Sequence, residues 1–348
     1  MRIIVATVQV PFVRGGAEVH AEGLRDALQR EGHEAEIVAV PFKWYPSSRI
    51  LDSMLACRLL DLTESAGNKI DRLIALKFPA YLIPHPNKTL WILHQHRAAC
   101  DMWDSKLGDL IDSPEGVMVR SAIMNADKNL IPEARALYAN SFNVSARLKK
   151  YCNIDAQPLY HPPLNADKFY CAPAQDYLYF PSRLWPVKRQ SLVLEALAKT
   201  RESVMVYFSG VADNNVYEQE LKYIAKKLGV AKKVKWLGFV TEEDKIELYA
   251  KALAVIYPPV DEDYGYVTLE AMLSSKPVIT CTDSGGTLEF VRDRETGLIT
   301  GPQADLLGKA MDELWQNRHA AKAWGEAGRK YYEHANITWK NVVGKLLI

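Results

Sequence analysis

The sequence predicts an α/β protein made of two doubly wound, Rossmann-like domains in tandem. Three observations lead there. The chain has 348 residues, more than one ordinary core holds and about right for two domains of ~150 residues. Short apolar runs alternate with helical stretches in two successive series, as in parallel-sheet folds. A proline-rich lapse separates the two series.

The first series opens with RIIVATVQV. A glycine-containing loop follows, then a helix with Val19, Leu24 and Leu28 on one side, which stops at Gly32. The strand EAEIVAV completes a βαβ unit with a crossover long enough for parallel pairing. RLIAL (72–76), TLWIL (89–93) and ALYAN (136–140) continue it as short apolar runs, the pattern of strands buried on both faces. Prolines 158, 162, 163 and 173 mark residues 155–177 as a linker. In the second series DYLYFPS, SVMVYFSG, KVKWLG, ALAVIYPP and KPVITCTDSGG read as strands, with VYEQELKYIAKKLGV and TEEDKIELYAKA as helices between them. ITWKNVVGKLLI reads as a terminal helix. The boundaries follow: one domain over 1–165, a second over 166–330, and a terminal helical segment over 331–348.

Bulk properties exclude several classes. The net charge of +1 offers no general attraction to nucleic acid or a membrane surface. Cysteines 57, 100, 152, 171 and 281 are dispersed and odd in number, which suits reduced thiols in a cytoplasmic protein better than a disulfide framework or zinc site. The apolar N-terminal run is short and interrupted by Gln9 and Pro11, so it reads as a buried strand rather than a signal sequence. No run approaches the ~18 apolar residues of a spanning helix. Peripheral attachment to a membrane stays open.

In doubly wound folds the loops after strands carry the chemistry, here expected in a cleft between the two domains. The first such loop contains Gly15-Gly16-Ala17-Glu18. It is neither G-x-G-x-x-G nor a P-loop, which disfavours nicotinamide enzymes and P-loop ATPases. Adjacent glycines before a helix suit close approach of a phosphate, and equally a tight turn. His94 and His96 are two apart with no third ligand nearby, a poor zinc site. Arg183, Lys188 and Arg189 place three cations in one loop, either a diphosphate clamp or a solvated basic turn. DEDYGYVTLEAM (261–272) admits three readings. Its acids can favour a helix N-terminus, Asp261 and Asp263 can chelate a metal, or Glu262 and Glu270 can accept hydrogen bonds from sugar hydroxyls.

Together these loops resemble those of retaining GT-B glycosyltransferases of family 4, over nearly the whole chain. The family's E-G-F-G-x-x-x-x-E signature corresponds to Glu262-Asp263-Tyr264-Gly265 through Glu270, with Asp263 in place of glycine and Tyr264 in place of Phe. Its Arg and Lys after the first strand of the second domain correspond to Arg183 and Lys188. Its G-G-x-x-E-x-x-x-D-x-x-T-G-L run corresponds to Gly285-Gly286, Glu289, Asp293 and Thr296-Gly297-Leu298. Gly15-Gly16 and Asn140-Ser141 also fit.

The resemblance implies a transferase that moves a hexose-type sugar from a nucleoside diphosphate-sugar to an acceptor hydroxyl. Arg183 and Lys188 would neutralise the departing diphosphate, helped by N–H groups of the helix starting near Val267 and Thr268. Glu262 would hold the donor sugar and Glu270 the ribose. Gly238-Phe239-Val240 would lie along the base, and His94 would line the sugar site from the first domain. Gly15, Gly16, Gly210, Gly265 and Tyr266 complete the implied donor site. No metal or other cofactor is expected. The implied partners are the nucleotide-sugar and a carbohydrate or lipid-linked acceptor, in bacterial polysaccharide, lipopolysaccharide or glycolipid assembly. The terminal helix near Trp339 would pack on the first domain. Trp103, Lys149 and Lys150 could meet a lipid-linked acceptor or form plain solvated surface. A sugar-nucleotide epimerase, a phosphorylase and a non-catalytic binder of the same fold are the alternatives. Asp263 is the residue that departs from the pattern and is where this chain's own specificity is expected.

Overall fold

A computed structural model describes residues 1–105, 107–212 and 215–348. The chain divides into two compact units, Met1–Leu164 with Ile337–Ile348, and Asn165–Asn336.

The first unit contains β1 (Arg2–Gln9), α1 (Gly16–Arg30), β2 (Glu34–Pro41), α2 (Ser48–Leu59), a small hairpin of β3 (Glu64–Ser65) and β4 (Asn68–Lys69), β5 (Arg72–Ala75), β6 (Lys88–Ile92), α3 (Gly116–Leu130), β7 (Ala136–Ala139), α4 (Phe142–Cys152) and β8 (Gln157–Pro158). Its parallel sheet has the order β2-β1-β5-β6-β7-β8. Every residue of β5 and β6 is buried, which explains the apolar runs at 73–75 and 90–92 that follow Arg72 and Lys88-Thr89. On α1 the buried stripe is His20, Ala21, Leu24, Ala27 and Leu28. Val19, expected on that face, is only half-buried, because the 3.6-residue period centres the stripe one position further on.

The proline-rich stretch is more ordered than a linker. Gln157 and Pro158 pair with Tyr138 and Ala139, and Leu159 and His161 are buried. Pro158 lies on an edge strand, where the missing N–H costs no ladder bond.

The second unit contains β9 (Leu178–Pro181), α5 (Gln190–Leu197), β10 (Val206–Ser209), α6 (Asn215–Lys227), β11 (Val234–Gly238), α7 (Glu242–Lys251), β12 (Ala254–Ile256), α8 (Tyr266–Leu273), β13 (Val278–Cys281), β14 (Gly297–Thr300), α9 (Ala304–Gln316) and α10 (Arg318–His334). Its sheet runs β11-β10-β9-β12-β13-β14, all parallel. Counted within the unit this is the 3-2-1-4-5-6 order of dinucleotide-binding folds. The Thr296-Gly297-Leu298 run proves to be the entry to the edge strand β14 rather than a loop.

The last helix, α11 (Trp339–Leu346), belongs to the first unit. The segment expected from 331 onward starts later, because residues up to His334 continue α10 and the second unit extends to Asn336. Thr338 caps α11 by accepting the Asn341 N–H at 3.2 Å. A Cβ on Gly23 would stand 2.5 Å from Cζ2 of Trp339, so glycine lets that indole lie on α1. Arg72 donates to the Leu346 carbonyl at 2.5 Å, and Tyr138 to that of Lys345 at 3.0 Å. No helix among the described residues is long and apolar enough to cross a membrane.

Candidate functional site

In the second unit β9 and β12 are neighbours although the chain leaves them toward opposite sides of the sheet. At such a switch point the two following loops diverge and leave a crevice at the carboxyl ends of the strands. The loop after β9 carries Arg183 and Lys188, and the loop after β12 carries the acidic stretch. They are joined directly: the Val260 N–H donates to the Val187 carbonyl at 2.8 Å. Buried Gln190 steadies the first loop by donating to the Arg183 carbonyl at 2.9 Å.

This geometry brings Lys188 onto Glu262. The ammonium donates to Glu262 Oε2 at 2.5 Å and to the Tyr257 hydroxyl at 2.9 Å. Both charged side chains are mostly shielded, with 19% and 17% of their surfaces exposed. Burial, then the Glu262 charge, push the Tyr257 hydroxyl well above its ordinary range, so it stays protonated. Arg183 is exposed beside them, its guanidinium 5.5 Å from the Trp185 ring. Arg189, the third cation of the loop, makes two bonds of 2.7 and 2.6 Å to Asp283. That bond raises its pKa against the opposing effect of burial. Arg189 therefore staples the loop to its neighbour.

Glu270 occupies a separate network. One oxygen accepts from Lys245 at 2.9 Å and the other from Tyr249 at 2.7 Å. Burial pulls the Lys245 ammonium down, but Glu270 and Glu242 outweigh it and the net shift is upward. Tyr249 is pushed well up, by burial first and Glu270 second. Lys245 and Tyr249 stand four apart on α7 and so share one helix face. That spacing is legible in TEEDKIELYAKA, but it names no partner, and neither residue, nor Tyr257, was expected in the site.

Between the two carboxylates, Gly265 caps α8 with φ +77°, a left-handed conformation that favours glycine. A Cβ there would lie 3.1 Å from Oγ1 of Thr287 and 3.6 Å from Oγ1 of Thr268. Both hydroxyls are buried without a hydrogen-bond partner. The expectation that the Thr268 N–H faces an anion is corrected: it donates to the Gly265 carbonyl at 3.0 Å, closing the first turn. Tyr266 is half-buried and Val267 buried at the start of the same helix.

The second glycine pair holds this arrangement. The Gly286 N–H donates to the Glu262 carbonyl at 2.7 Å and the Glu262 N–H to the Ser284 carbonyl at 3.3 Å. A Cβ on Gly286 would stand 2.6 Å from the Asp263 carbonyl oxygen. Asp293, Thr296 and Gly297 of that run hold backbone in place. Asp293 accepts the Ile299 N–H at 2.8 Å, Thr296 accepts the Arg292 N–H at 2.8 Å, and Gly297 lies against Val278 of β13. Asp261 sits at φ +43° with its N–H on the Asp283 carbonyl. Among the described residues no three His, Cys, Asp or Glu side chains converge as metal ligands.

Other expected residues fall elsewhere. Gly210 has φ +119°, and a Cβ there would meet the Ser182 carbonyl at 2.2 Å, so it lets the ends of β9 and β10 approach. Its N–H donates to the Gly238 carbonyl at 2.7 Å. Phe239 is 78% exposed and Val240 half-buried, just past β11. In the first unit Gly15 precedes α1 in extended conformation and Gly16 begins it. The Gly15 N–H donates to Glu18 at 2.7 Å, so this amide is a helix cap rather than a ready phosphate donor. His94 follows β6, its Nδ1 2.7 Å from the Gln95 carbonyl. Ser141 caps α4 by accepting the Val144 N–H at 3.0 Å, next to buried Asn140. Trp103 is only 8% exposed, with Arg120 over its ring. It is a core residue, which removes it from the suggested acceptor surface. Lys149 pairs with Asp155 at 2.8 Å and Lys150 lies over Tyr151.

Residues 171–331 match the family model for glycosyl transferases group 1. The α-1,3/1,6-mannosyltransferase ALG2 of Dictyostelium discoideum is 33% identical over 36% of this chain and 29% of its own. The chain thus spans under a third of that relative's length. An uncharacterized glycosyltransferase of Methanocaldococcus jannaschii is 24% identical over 98% of this chain and 96% of its own. The crystal structure of HepE from Anabaena in complex with UDP-glucose superposes with a TM-score of 0.74 at 16% identity, covering 99% of this chain and 98% of that one. The chain therefore has the GT-B fold, two parallel-sheet α/β domains, and the match to the glycosyl transferases group 1 model lies within its second unit.

Proposed function

We propose that the protein is a retaining glycosyltransferase that moves a hexose from a nucleoside diphosphate-sugar to an acceptor hydroxyl. The observation that carries this reading is the Lys188–Glu262 contact at the β9/β12 switch point, with Arg183 on the same loop. One locus then offers cations for a diphosphate and a carboxylate for sugar hydroxyls. The printed names of the relatives, a mannosyltransferase and a protein bound to UDP-glucose, support a hexose donor.

In this reading the bond from the anomeric carbon to the diphosphate breaks and a bond to the acceptor oxygen forms on the same face. Lys188 and Arg183 stabilise the charge growing on the departing diphosphate, so no metal is required. Glu262 accepts hydrogen bonds from the sugar, and Tyr257 steadies Lys188. Glu270 accepts from the ribose hydroxyls, oriented by Lys245 and Tyr249. The bare Cα of Gly265 admits the donor close to the start of α8. Phe239 and Val240 serve the base. The sugar goes to a carbohydrate or lipid-linked acceptor, in polysaccharide, lipopolysaccharide or glycolipid assembly.

The test is a mass-resolved product assay with nucleotide-hexoses and candidate acceptors. Arg183→Ala and Lys188→Ala are each expected to lower turnover by about 100- to 1,000-fold, the usual loss of one charge-stabilising group. Activity should survive excess EDTA. Near-normal turnover in both variants would overturn the diphosphate clamp, and loss under EDTA reversed by Mn²⁺ would overturn metal independence.

A further inference from the structure

The opposite edge of the second unit's sheet carries another arrangement of reactive groups. Lys276 lies just before β13, Leu253 just before β12, and residues 171–174 shortly before β9. These amino ends of strands enclose, with α10, a cavity of about 440 Å³ whose polar wall is Cys171, Ser275, Lys276, Arg318, Lys322 and Glu326. It stands at the other end of the strands from Lys188 and Glu262.

Lys276 is only 4% exposed. Its ammonium donates to the Ala172 carbonyl at 3.0 Å, and the Cys171 Sγ is 3.8 Å from the same oxygen. Thiol and ammonium therefore converge on one point of the cavity wall. Burial lowers the Lys276 pKa, and the neighbouring Cys171 side chain works against that shift. The other cations of the cavity have carboxylate partners: Arg318 donates to Asp176 at 2.6 Å, and Lys322 is 3.9 Å from Glu326. Lys276 has the Ala172 carbonyl and the Cys171 side chain as partners and no carboxylate among the described residues, so the cavity holds one positive charge that no carboxylate offsets. An uncompensated buried cation favours an anion beside it.

Cys171 is also the exposed cysteine. Cys57, Cys100, Cys152 and Cys281 are buried, and burial raises the pKa of each, that of Cys152 to about 11. A raised pKa and exclusion from solvent both suppress thiol reactivity. Reactivity is thus confined to the one thiol that faces a cation-bearing cavity.

We propose that Cys171 is a thiol-modification site for disulfides that carry carboxylates, with Lys276 as the group that selects the anion. The Cys171 thiol gives its proton to solvent, and its thiolate attacks one sulfur of the incoming disulfide. A new bond forms between Cys171 Sγ and that sulfur, the incoming S–S bond breaks, and the second half leaves as a thiolate. No other oxidant is consumed, and a thiol reverses the step.

The experiment compares two small disulfides on the intact chain, a dicarboxylate aryl disulfide and uncharged dithiodipyridine. Peptide mass mapping identifies the modified residue, and Cys171→Ser gives the background. The native protein should be modified once, at Cys171. Its rate ratio, anionic over uncharged reagent, should exceed that of Lys276→Met by on the order of tenfold, as expected for one partly shielded charge. A second measurement needs no substitution: the same preference should vanish when the wild-type chain is unfolded in urea. An equal ratio in native and unfolded protein, or modification falling first on another cysteine, overturns the proposal.

Discussion

Glu270 is proposed to bind ribose, yet its geometry makes it a support of the second unit as well. The perturbation that separates the roles is a double-mutant cycle with Glu270→Gln and Lys245→Met. Glu270 and Lys245 approach to 2.9 Å with side-chain exposures of 9% and 19%. At that separation the Coulomb attraction is roughly 5–6 kcal/mol for an effective dielectric of about 20. Desolvation of both groups offsets a large part, so a coupling of about 2–3 kcal/mol is expected. Glu270→Gln alone leaves Lys245 without that carboxylate and should cost about 3 kcal/mol, since losing one member of a shielded pair exposes the other's desolvation penalty. The assay is urea unfolding of the full chain and its three variants, followed by tyrosine and tryptophan fluorescence. For a unit of this size about 3 kcal/mol corresponds to a melting shift of roughly 6–12 °C. A coupling below about 0.5 kcal/mol would refute the claim that α7 and α8 are tied through this pair.

Two further outcomes test other parts of the structure. Acid should weaken the first unit through His20, which burial pushes from 6.5 to about 3 and which packs on Trp91, His161 and Trp339. Its stabilising contribution is complete above the unfolded pKa near 6.5 and falls by about 1.4 kcal/mol per pH unit until about pH 3; His20→Leu should remove roughly one such increment from the pH slope of the urea midpoint, and an unchanged slope refutes it. Gly286→Ala should displace the Glu262 loop, because the new Cβ would meet the Asp263 and Glu262 carbonyls at 2.6 and 3.2 Å. About 1–3 kcal/mol of stability should go with it, together with at least about tenfold in nucleotide-sugar affinity by isothermal titration, and unchanged affinity would show that this contact does not shape the site.

Strand-level architecture was legible in the sequence for a specific reason. Parallel strands buried on both faces must be apolar throughout, so RLIAL, TLWIL and ALAVIYPP announced themselves. Helix α10 is harder to read: its buried stripe is Ala321, Gly325 and Gly328, small residues that give little hydrophobic signal, so sequence pattern alone starts the terminal segment too early. Pro158 reads as linker because proline opposes strands in general, whereas the edge of a sheet tolerates it.

The sequence by itself determined which residues could do chemistry: three cations after one strand, two carboxylates around a glycine after another. It could not determine who faces whom. Lys188 and Glu262 lie 74 positions apart in the chain and meet at 2.5 Å because the sheet order makes β9 and β12 neighbours. Glu270 is turned instead toward Lys245 and Tyr249 by the packing of α7 on α8. The glycine pair at 285–286 shows the same division. Its presence was plain in the sequence, but its use here, close passage beneath the Glu262–Asp263 backbone, depends on a contact between segments that no local pattern encodes. Period and composition are properties of neighbours along the chain. A binding site is a property of neighbours in space, and only the closed fold supplies those.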